Sequence, residues 1–187
     1  MEKEQDIILV QKAKEGDKDA FCELVKKYKR QVYFVAYRMT NNHFEADDLS
    51  QEAFVKAYES IGNFKEKSAF STWIYRIITN MTIDYIRKNR TKQVFELDEN
   101  ISIKNSYYIN NPIEERELHK EIKKAIGSLP LEQRAVVELS ILEGLTHKKI
   151  AEILDCPEKT VSWRLFQARN KLKEKLEIYR EVNRNEL

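Results

Sequence analysis

Residues 146–161 constrain the fold most, because they have the pattern of two short helices joined by a tight turn. Thr146 is suited to cap the first helix, since its hydroxyl can accept a hydrogen bond from a free N–H of the first turn. Apolar residues then recur at helical spacing, at Ile150, Ala151 and Leu154. Pro157 cannot continue a helix interior but suits the start of the next helix. The stretch therefore predicts a helix-turn-helix.

The second of these helices has two chemically different faces. Its aliphatic residues form one stripe at Val161, Leu165, Ala168, Leu172 and Leu176. The opposite face is led by Lys159, Trp163, Phe166, Gln167 and Asn170. A basic, amide and aromatic face is typical of a DNA recognition helix, although paired amphipathic helices occur in any helical protein. The two outward aromatics indicate a binding surface, for DNA or for a protein partner.

Composition predicts an all-α protein. The 187 residues include only 4 Gly and 3 Pro, and 34% are charged, which favours helices with short connections. No apolar run approaches the roughly 20 residues that span a bilayer. No signal-like segment follows the charged start. We therefore expect a cytoplasmic protein without direct membrane insertion. The two cysteines are far apart and share no ligand spacing with histidine, so neither a disulfide nor a metal site is expected.

Periodicity along the chain predicts two small helical domains joined by a flexible linker. Residues 1–92 contain four predicted helices, at about 6–16, 17–40, 44–58 and 68–89, with Asp6 expected to cap the first. Residues 93–111 are acidic and then polar and Tyr-rich, without a helical period, and are predicted to be the linker. Residues 112–187 contain four more helices, at about 113–126 and 131–143 and in the helix-turn-helix.

The helix predicted from about residue 68 has a basic face. Its buried face is expected to hold Phe70, Trp73, Ile74, Ile77, Ile78, Met81 and Tyr85. The opposite face is expected to present Thr72, Arg76, Thr79, Ile83, Arg87 and Arg90, with Asn80 at its edge. Cations near a helix C-terminus, such as Arg87 and Lys88, suit the helix dipole. A row of arginines leading into that cluster fits better with contacts to phosphates.

The segment just before this helix alternates aromatic, amide, hydroxyl and basic groups. Such a mixture suits unpaired nucleotides, whose bases stack on aromatic rings while cations follow the backbone. Phe70 and Trp73 are predicted to belong to the core. The candidates for contacts with unpaired bases are therefore Asn63, Phe64, Lys67, Ser71 and Thr72.

Residues 45–52 are acidic, with four carboxylates in eight positions. Asp48, Gln51 and Glu52 are three and four apart and share a helix face, and Asp47 lies beside them. Carboxylates grouped in this way would repel DNA, so they favour a protein partner with a basic surface. A metal is the weaker alternative, because no histidine joins the group. No catalytic or nucleotide-binding motif is present, so neither enzymatic activity nor a cofactor is expected.

Three stretches together resemble the extracytoplasmic-function (ECF) group of the bacterial sigma-70 family of RNA polymerase sigma factors. They are residues 45–58, residues 70–80 and the helix-turn-helix with Thr160-Val161-Ser162-Trp163-Arg164, in the family's order. The resemblance covers about 6–92 and 112–178. It implies an alternative sigma factor that binds core RNA polymerase and directs promoter-specific initiation, with domains corresponding to sigma region 2 (1–92) and region 4 (112–187).

The resemblance also implies roles for individual residues. The surface for the clamp coiled coil of the polymerase would be Asp47, Asp48, Gln51 and Glu52. Recognition and melting of the −10 element would involve Asn63, Phe64, Lys67, Ser71, Thr72, Arg76, Asn80, Arg87 and Lys88. The −35 element would be read by Lys159, Thr160, Ser162, Trp163, Arg164, Phe166, Gln167 and Asn170. The second domain would also contact the polymerase flap, and the linker would thread through the enzyme. An anti-sigma factor, often membrane-bound in the family, is a further implied partner.

The outward face of the recognition helix departs from the family's pattern. Lys159 stands where a small residue is usual, Ser162-Trp163 replaces a basic residue followed by Ser or Thr, and Gln167 replaces a frequent basic residue. Because Gln pairs with adenine and Trp or Phe contacts a thymine methyl, these residues indicate an A·T-containing −35 site. Two other interpretations remain open. One is a dimeric regulator with an N-terminal sensing bundle, and the other is an interaction protein whose aromatics contact a helical partner.

Overall fold

The computed structural model describes residues 2–65, 68–93 and 121–185, without the side chains of 2–4, 90–93, 142 and 178–185. Its helices are α1 (Glu2–Lys14), α2 (Lys18–Thr40), α3 (His43–Ser60), α4 (Phe70–Gln93), α5 (121–127), α6 (Leu131–Val137), α7 (His147–Leu154) and α8 (Glu158–Asn185). These described ranges contain no strand, which confirms the predicted all-α class. Residues 94–111 of the predicted linker, residues 112–120 and Lys67 lie outside them, whereas Gln93, predicted as the first linker residue, ends α4. None of the helices so defined is long and apolar enough to cross a membrane.

Local capping signals explain most helix boundaries. Asp17 caps α2 by accepting from the Ala20 N–H at 3.0 Å. Asn41 ends that helix in the left-handed conformation, with φ 57°, and Asn42 caps α3. The predicted cap at Asp6 is wrong, because α1 begins at Glu2 and the Asp6 carboxylate instead accepts from Lys27 at 2.7 Å and from the Tyr28 hydroxyl.

Helices α1–α4 form a bundle around α2. The apolar stripe predicted for α2 is buried, with Leu24, Val32 and Ala36 fully enclosed. On α4, Ile74 and Ile78 are equally enclosed. Burying one such aliphatic side chain stabilises the fold by about 1.5–3 kcal/mol. This core fixes the rotation of α3 and α4, and it therefore decides which of their side chains face outward.

The C-terminal helices contain the predicted helix-turn-helix. Thr146 caps α7 by accepting from the Lys149 N–H at 3.4 Å, as expected. Helices α7 and α8 then pack through a fully buried set, Ile150, Ile153, Val161 and Ala168, with Leu165 beside them. The predicted helix at 131–143 is a composite, because α6 passes into a π-helical segment at Glu138–Leu142 before Gly144 turns the chain with φ 64°.

The two groups of helices pack against each other. Helix α4 lies along α7, and one continuous apolar core extends through both groups. This packing corrects the predicted outer face of α4. Thr72, Thr79 and Ile83 were expected to be exposed there but are buried, at 4%, 0% and 7% exposure. Helix α4 is covered on more than one side, and periodicity within a single helix cannot reveal the second covering element.

Candidate polymerase and promoter surfaces

The acidic group on α3 lies on the outer side of that helix. Ala46, Leu49, Ala53 and Ala57 face the bundle, which leaves Asp47, Asp48, Gln51 and Glu52 exposed. The Gln51 side-chain amide donates to the Asp47 carboxylate at 2.8 Å. The four residues predicted to contact the polymerase therefore form one continuous surface, which we call the acidic face.

Large apolar side chains border the acidic face. Phe44 is 84% exposed, Val55 is 56% exposed and Tyr58 is 42% exposed. An exposed aromatic beside charged groups is typical of a protein interaction surface. The signal was available in the sequence, because Phe44, Asp48, Gln51 and Val55 are spaced four, three and four apart. The carboxylates predict the acidic face, whereas the contribution of these apolar side chains was not predicted.

The basic groups of α4 face the C-terminal helices. Arg76 donates to the backbone carbonyl of Glu152 in α7. Arg87 donates to the Glu132 carboxylate of α6 at 2.7 Å and lies 3.8 Å from Asp84. A backbone hydrogen bond and the Arg87 guanidinium lower the pKa of Glu132. Lys88 remains exposed. We call Arg76, Asn80, Arg87 and Lys88 the basic face.

A cleft of about 330 Å³ separates part of the basic face from the C-terminal helices. Its lining residues are Asn80, Ile83, Asp84, Arg87, Glu132, Leu154 and Arg164. Asn80 is exposed within it. The cleft carries charges of both signs, because Arg87 and Arg164 line it together with Asp84 and Glu132. It lies between α4 of the bundle and helices α6–α8.

The aromatic segment before α4 is part of the core. Phe64 is 7% exposed, and its ring stacks on Trp73 with centroids 4.7 Å apart. The backbone carbonyl of Phe64 accepts from Lys14 of α1 at 3.1 Å. The prediction that Phe64 is free to contact bases is therefore wrong, and so is that for Thr72, which is 4% exposed. A turn of 3₁₀ helix at Ile61–Asn63 directly precedes Phe64, whose ring lies inside the bundle. Asn63 and Ser71 remain accessible at the surface.

The recognition helix α8 presents most of its predicted residues outward. Trp163 and Phe166 are 57% and 60% exposed. Lys159, Ser162 and Asn170 are also exposed, whereas Thr160 and Gln167 are half-buried. Ser162 Oγ of α8 lies 3.1 Å from His147 Nδ1 of α7, and this contact joins the two helices. The same hydroxyl donates to the Glu158 carbonyl within α8 at 3.1 Å.

Arg164 does not belong to this outward face. It lines the cleft toward α4, and its guanidinium lies 4.0 Å from the Cys156 thiol. Arg164 is half-buried, and its predicted contact with the −35 element stays a prediction. It lines the cleft because position 164 lies a quarter-turn from position 163, on the side of α8 next to the bundle.

An ionic network at the junction of the two helix groups was not predicted. Its members Tyr75, Arg134 and Glu138 are buried, whereas Arg38 and Glu143 are half-buried. Arg38 of α2 pairs with Glu143 at 2.7 Å, and Tyr75 of α4 donates to the same carboxylate at 3.0 Å. Glu138 is 2% exposed, with its Oε2 4.0 Å from Arg38. Burial raises the pKa of Glu138 to about 7, although Arg38 and Arg134 oppose the shift. We call Arg38, Tyr75, Arg134, Glu138 and Glu143 the junction network.

Comparison with known proteins decides the family. The sequence profile of sigma-70 region 2 matches residues 24–92, and that of sigma-70 region 4 matches residues 119–172. The ECF RNA polymerase sigma factor SigW of Bacillus subtilis is 36% identical over 176 residues, which are 89% of this chain and 94% of that protein. The chain belongs to the ECF group of sigma factors. The ECF sigma-E factor of Escherichia coli K12 is 34% identical over 92% of the chain and 94% of its own length.

Solved structures agree with this membership. CnrH, in complex with the cytosolic domain of CnrY, has a TM-score of 0.72 at 25% identity and covers 93% of this chain and 98% of its own. RpoE, in complex with the anti-sigma factor NepR from Bartonella quintana, has a TM-score of 0.68 at 25% identity and covers 84% and 97%. The protein is an alternative sigma factor that directs promoter-specific transcription, as the resemblance implied.

Proposed function

We propose that this sigma factor binds core RNA polymerase through the acidic face and handles promoter DNA through the basic face and the outward face of α8. The observation that carries the proposal is the separation of charge on one bundle. Carboxylates of α3 are exposed on that helix, whereas the Arg76 and Arg87 guanidinium groups of α4 contact α7 and α6, so each surface suits a different partner. The N-terminal unit, about 1–92, would act at the −10 element and the C-terminal unit, about 112–187, at the −35 element.

The acidic face suits a basic helical surface of the polymerase, for which the clamp coiled coil is our candidate. Asp47, Asp48, Gln51 and Glu52 supply charge and hydrogen bonds, while Phe44 and Val55 supply apolar area. Charged groups at the rim of an interface mainly set orientation and association rate. Exposed aromatics supply more of the affinity. We therefore expect Phe44 to contribute to polymerase binding together with the carboxylates.

The basic face is proposed to hold the opened −10 strand. Arg76, Arg87 and Lys88 would contact phosphates, and Asn80 would contact a base, with Asn63 and Ser71 at the upstream end of the same surface. Opening DNA costs roughly 1–2 kcal/mol per base-pair step. Capture of one unpaired base returns about 1–3 kcal/mol. One or two captured bases would offset the opening of a short nucleus, which requires no hydrolysis of a nucleotide.

The outward face of α8 is proposed to lie in the major groove of the −35 element. Lys159 and Asn170 are placed for phosphate or base-edge contacts, and Trp163 and Phe166 for contacts with thymine methyl groups. Thr160, Ser162 and Gln167 complete this surface. An A·T-containing −35 site is the sequence that these groups would favour.

Further partners follow from the same assignment. The linker, about 93–111, would thread through the polymerase, and the C-terminal domain would contact the polymerase flap. The similar proteins CnrH and RpoE were solved with a bound CnrY domain and with an anti-sigma factor. We therefore propose that this chain also has an anti-sigma factor, of the membrane-bound type, and that it acts in the cytoplasm as an initiation factor without catalytic activity of its own.

Reconstituted transcription tests the proposed function. The purified chain is mixed with core RNA polymerase and a library of genomic promoter fragments, and the 5′ ends of the transcripts are mapped. We expect stable binding of the polymerase and transcripts that begin downstream of a common pair of elements. Binding of DNA by a dimer of the chain, without polymerase-dependent initiation, would contradict the proposal and favour a conventional regulator.

A further inference from the structure

We propose that His147 is a positioning residue for recognition of the −35 element, because it holds the Ser162 hydroxyl as an acceptor of hydrogen bonds from a base. Ser162 then favours adenine or cytosine, whose amino groups donate in the major groove, over guanine or thymine at one position of the element. This role rests on the proposed function of the outward face of α8, and it specifies which bases that face accepts.

Ser162 lies in the middle of the outward face of α8. It is exposed one turn after Lys159 and one turn before Phe166, and Trp163 lies beside it. A lysine and an indole N–H only donate hydrogen bonds, and a phenyl ring is apolar. Among these four side chains, Ser162 alone is able to accept a hydrogen bond from a base.

His147 reaches Ser162 from the other helix of the helix-turn-helix. It is the first residue of α7, directly after the cap at Thr146, and its side chain is half-buried. Its Nδ1 lies 3.1 Å from Ser162 Oγ. The two helices are held together by a core that includes Ile150 and Val161, both fully buried. The contact therefore joins two packed helices, so it is able to orient the hydroxyl.

The contacts of Ser162 account for its one hydroxyl hydrogen. A serine hydroxyl donates once and has two lone pairs that accept. Ser162 Oγ donates to the Glu158 carbonyl at 3.1 Å, and a protonated Nδ1 of His147 then donates to Oγ. In the other tautomer, Nδ1 accepts the hydroxyl hydrogen instead. In both arrangements the hydrogen stays within the protein, and at least one lone pair of Oγ is left for DNA.

A hydroxyl held in this way discriminates between base edges. In the major groove adenine N6 and cytosine N4 donate, whereas guanine O6 and N7 and thymine O4 accept. Opposite an acceptor, the Ser162 oxygen would face a lone pair unless its hydrogen left its partners in the protein. Removal of His147 takes away one of those partners and lets the hydroxyl rotate toward DNA. Selectivity at this position should therefore depend on His147 as well as on Ser162.

Binding of the polymerase complex to substituted promoters tests this selectivity. The chain with core polymerase is measured on promoter fragments that carry each of the four bases at each position of the −35 element. The contacted position is the one where Ser162→Ala changes the base preference. There we expect the parent to favour adenine or cytosine by about fivefold, the effect typical of one neutral hydrogen bond, and Ser162→Ala to lose the preference.

Two outcomes of this experiment would overturn the proposal. One is a parent preference for guanine or thymine at the contacted position. The other is an unchanged base preference in Ser162→Ala at every position of an element that the parent does read. If no position of the −35 element affected binding of the parent, the proposed function of α8 would fail, and the role of His147 with it.

Base analogues separate an accepting hydroxyl from a donating one. Fragments with adenine at the contacted position are remade with purine, which lacks the N6 amino group, and with 7-deazaadenine, which lacks the N7 acceptor. Purine should weaken binding of the parent about fivefold more than that of Ser162→Ala. 7-Deazaadenine should affect the two chains equally. The reverse pattern would show that Ser162 donates, contrary to the proposal.

Substitutions at position 147 test the positioning role. His147→Ala should reduce the base preference toward that of Ser162→Ala, whereas His147→Asn should keep most of it, because an amide also donates or accepts near the place of Nδ1. Lys148→Ala, at the next and exposed position, is the matched control. It should lower affinity for all four bases equally, if at all, since a phosphate contact carries no base information.

A purely structural role of His147 predicts a different result. In that case His147→Ala would weaken binding to all four bases by the same factor, as in Lys148→Ala, and the positioning role would be wrong. Full retention of the preference in His147→Ala would refute it too, and so would equal loss in His147→Ala and His147→Asn.

Discussion

Arg38 of α2 and Glu143, which lie 105 positions apart in the chain, form an ion pair of 2.7 Å between their side chains. The pair joins the bundle to the segment that leads into the helix-turn-helix. It lies beside Glu138, whose carboxylate is almost fully enclosed by the junction network. The charges of Arg38, Glu138 and Glu143 therefore affect both the stability of the fold and the arrangement of its two proposed DNA-binding surfaces.

Stability is expected to fall as pH rises from about 4.5 to 7. Burial raises the pKa of Glu138 from 4.5 to about 7, so the native state keeps a proton that the unfolded chain releases in this window. The contribution is lost progressively up to about pH 7 and is constant above it. By the usual conversion of pKa shifts it amounts to at most about 3 kcal/mol. Urea unfolding at a series of pH values measures the slope.

Glu138→Gln is the variant that isolates this effect. It keeps the shape of the side chain but has no proton to lose, so it should flatten the slope and raise stability above pH 7 relative to the parent. Glu158→Gln, at an exposed position in the first turn of α8, controls for the loss of one negative charge. An unchanged slope in Glu138→Gln would mean that another group titrates in this window.

Phe64→Ala is expected to destabilise the fold. The ring is buried against Phe70 and Trp73, so its removal leaves a cavity and should cost about 3–5 kcal/mol in the free energy of unfolding. Phe44→Ala removes the same ring from a site that is 84% exposed and should change stability by less than about 0.5 kcal/mol. Urea denaturation compares the two variants. Equal stability of the two would contradict the placement of Phe64 in the core.

The acidic face is expected to determine affinity for core polymerase. Asp48→Lys reverses one charge on that face, and Phe44→Ala removes its most exposed ring. Each should weaken binding about tenfold or more, because a like charge or a lost aromatic anchor at an interface costs roughly 1–3 kcal/mol. Fluorescence anisotropy with labelled chain and core enzyme gives the dissociation constants.

Glu15→Lys makes the same charge reversal at an exposed position after α1, away from the acidic face, and serves as the control. It should bind polymerase like the parent. If Glu15→Lys weakened binding as much as Asp48→Lys, the effect would come from net charge rather than from a defined surface.

Trp163 is expected to contribute to recognition of the −35 element. Trp163→Ala in the polymerase complex should weaken binding to a promoter by about 1–3 kcal/mol, and replacing thymine with uracil in the −35 element should weaken the parent but not the variant. Filter binding on matched promoter fragments measures both effects. Lys173→Ala, further along α8 and 73% exposed at its side chain, is the control. Equal sensitivity of parent and Trp163→Ala to uracil would contradict a methyl contact.

Features set by neighbouring residues were predictable from the sequence. Asp17, Asn41 and Thr146 act within one turn of their own helix, and the stripe of α2 requires only a count of positions. The helix-turn-helix and the exposure of Trp163 follow in the same way, because a two-helix unit buries one face of each helix locally. The exposure of the acidic face follows from the opposite apolar side of α3.

Features set by distant contacts were not predictable in this way. The burial of Phe64 depends on the turn at Ile61–Asn63 and on Trp73, and that of Ile83 accompanies the packing of α7 on α4. Arg164 lies in the cleft for the same reason. A glutamate such as Glu138 is normally expected at the surface, yet it is buried near arginines from both helix groups. Each of these placements depends on contacts between residues that are tens of positions apart in the chain. The periodicity of a single sequence does not show which distant residues come into contact.

Promoter opening tests the central claim most directly. A promoter fragment with 2-aminopurine in the −10 element becomes more fluorescent as the base unstacks, and the rise is followed with core polymerase and each variant. The account predicts rapid opening with the parent chain. For Asn80→Ala it predicts opening about tenfold slower with unchanged polymerase affinity, because one base contact is lost. Gln11→Ala, exposed on α1, should behave like the parent. Normal opening by Asn80→Ala, or a loss of polymerase affinity in its place, would contradict the assignment of the basic face.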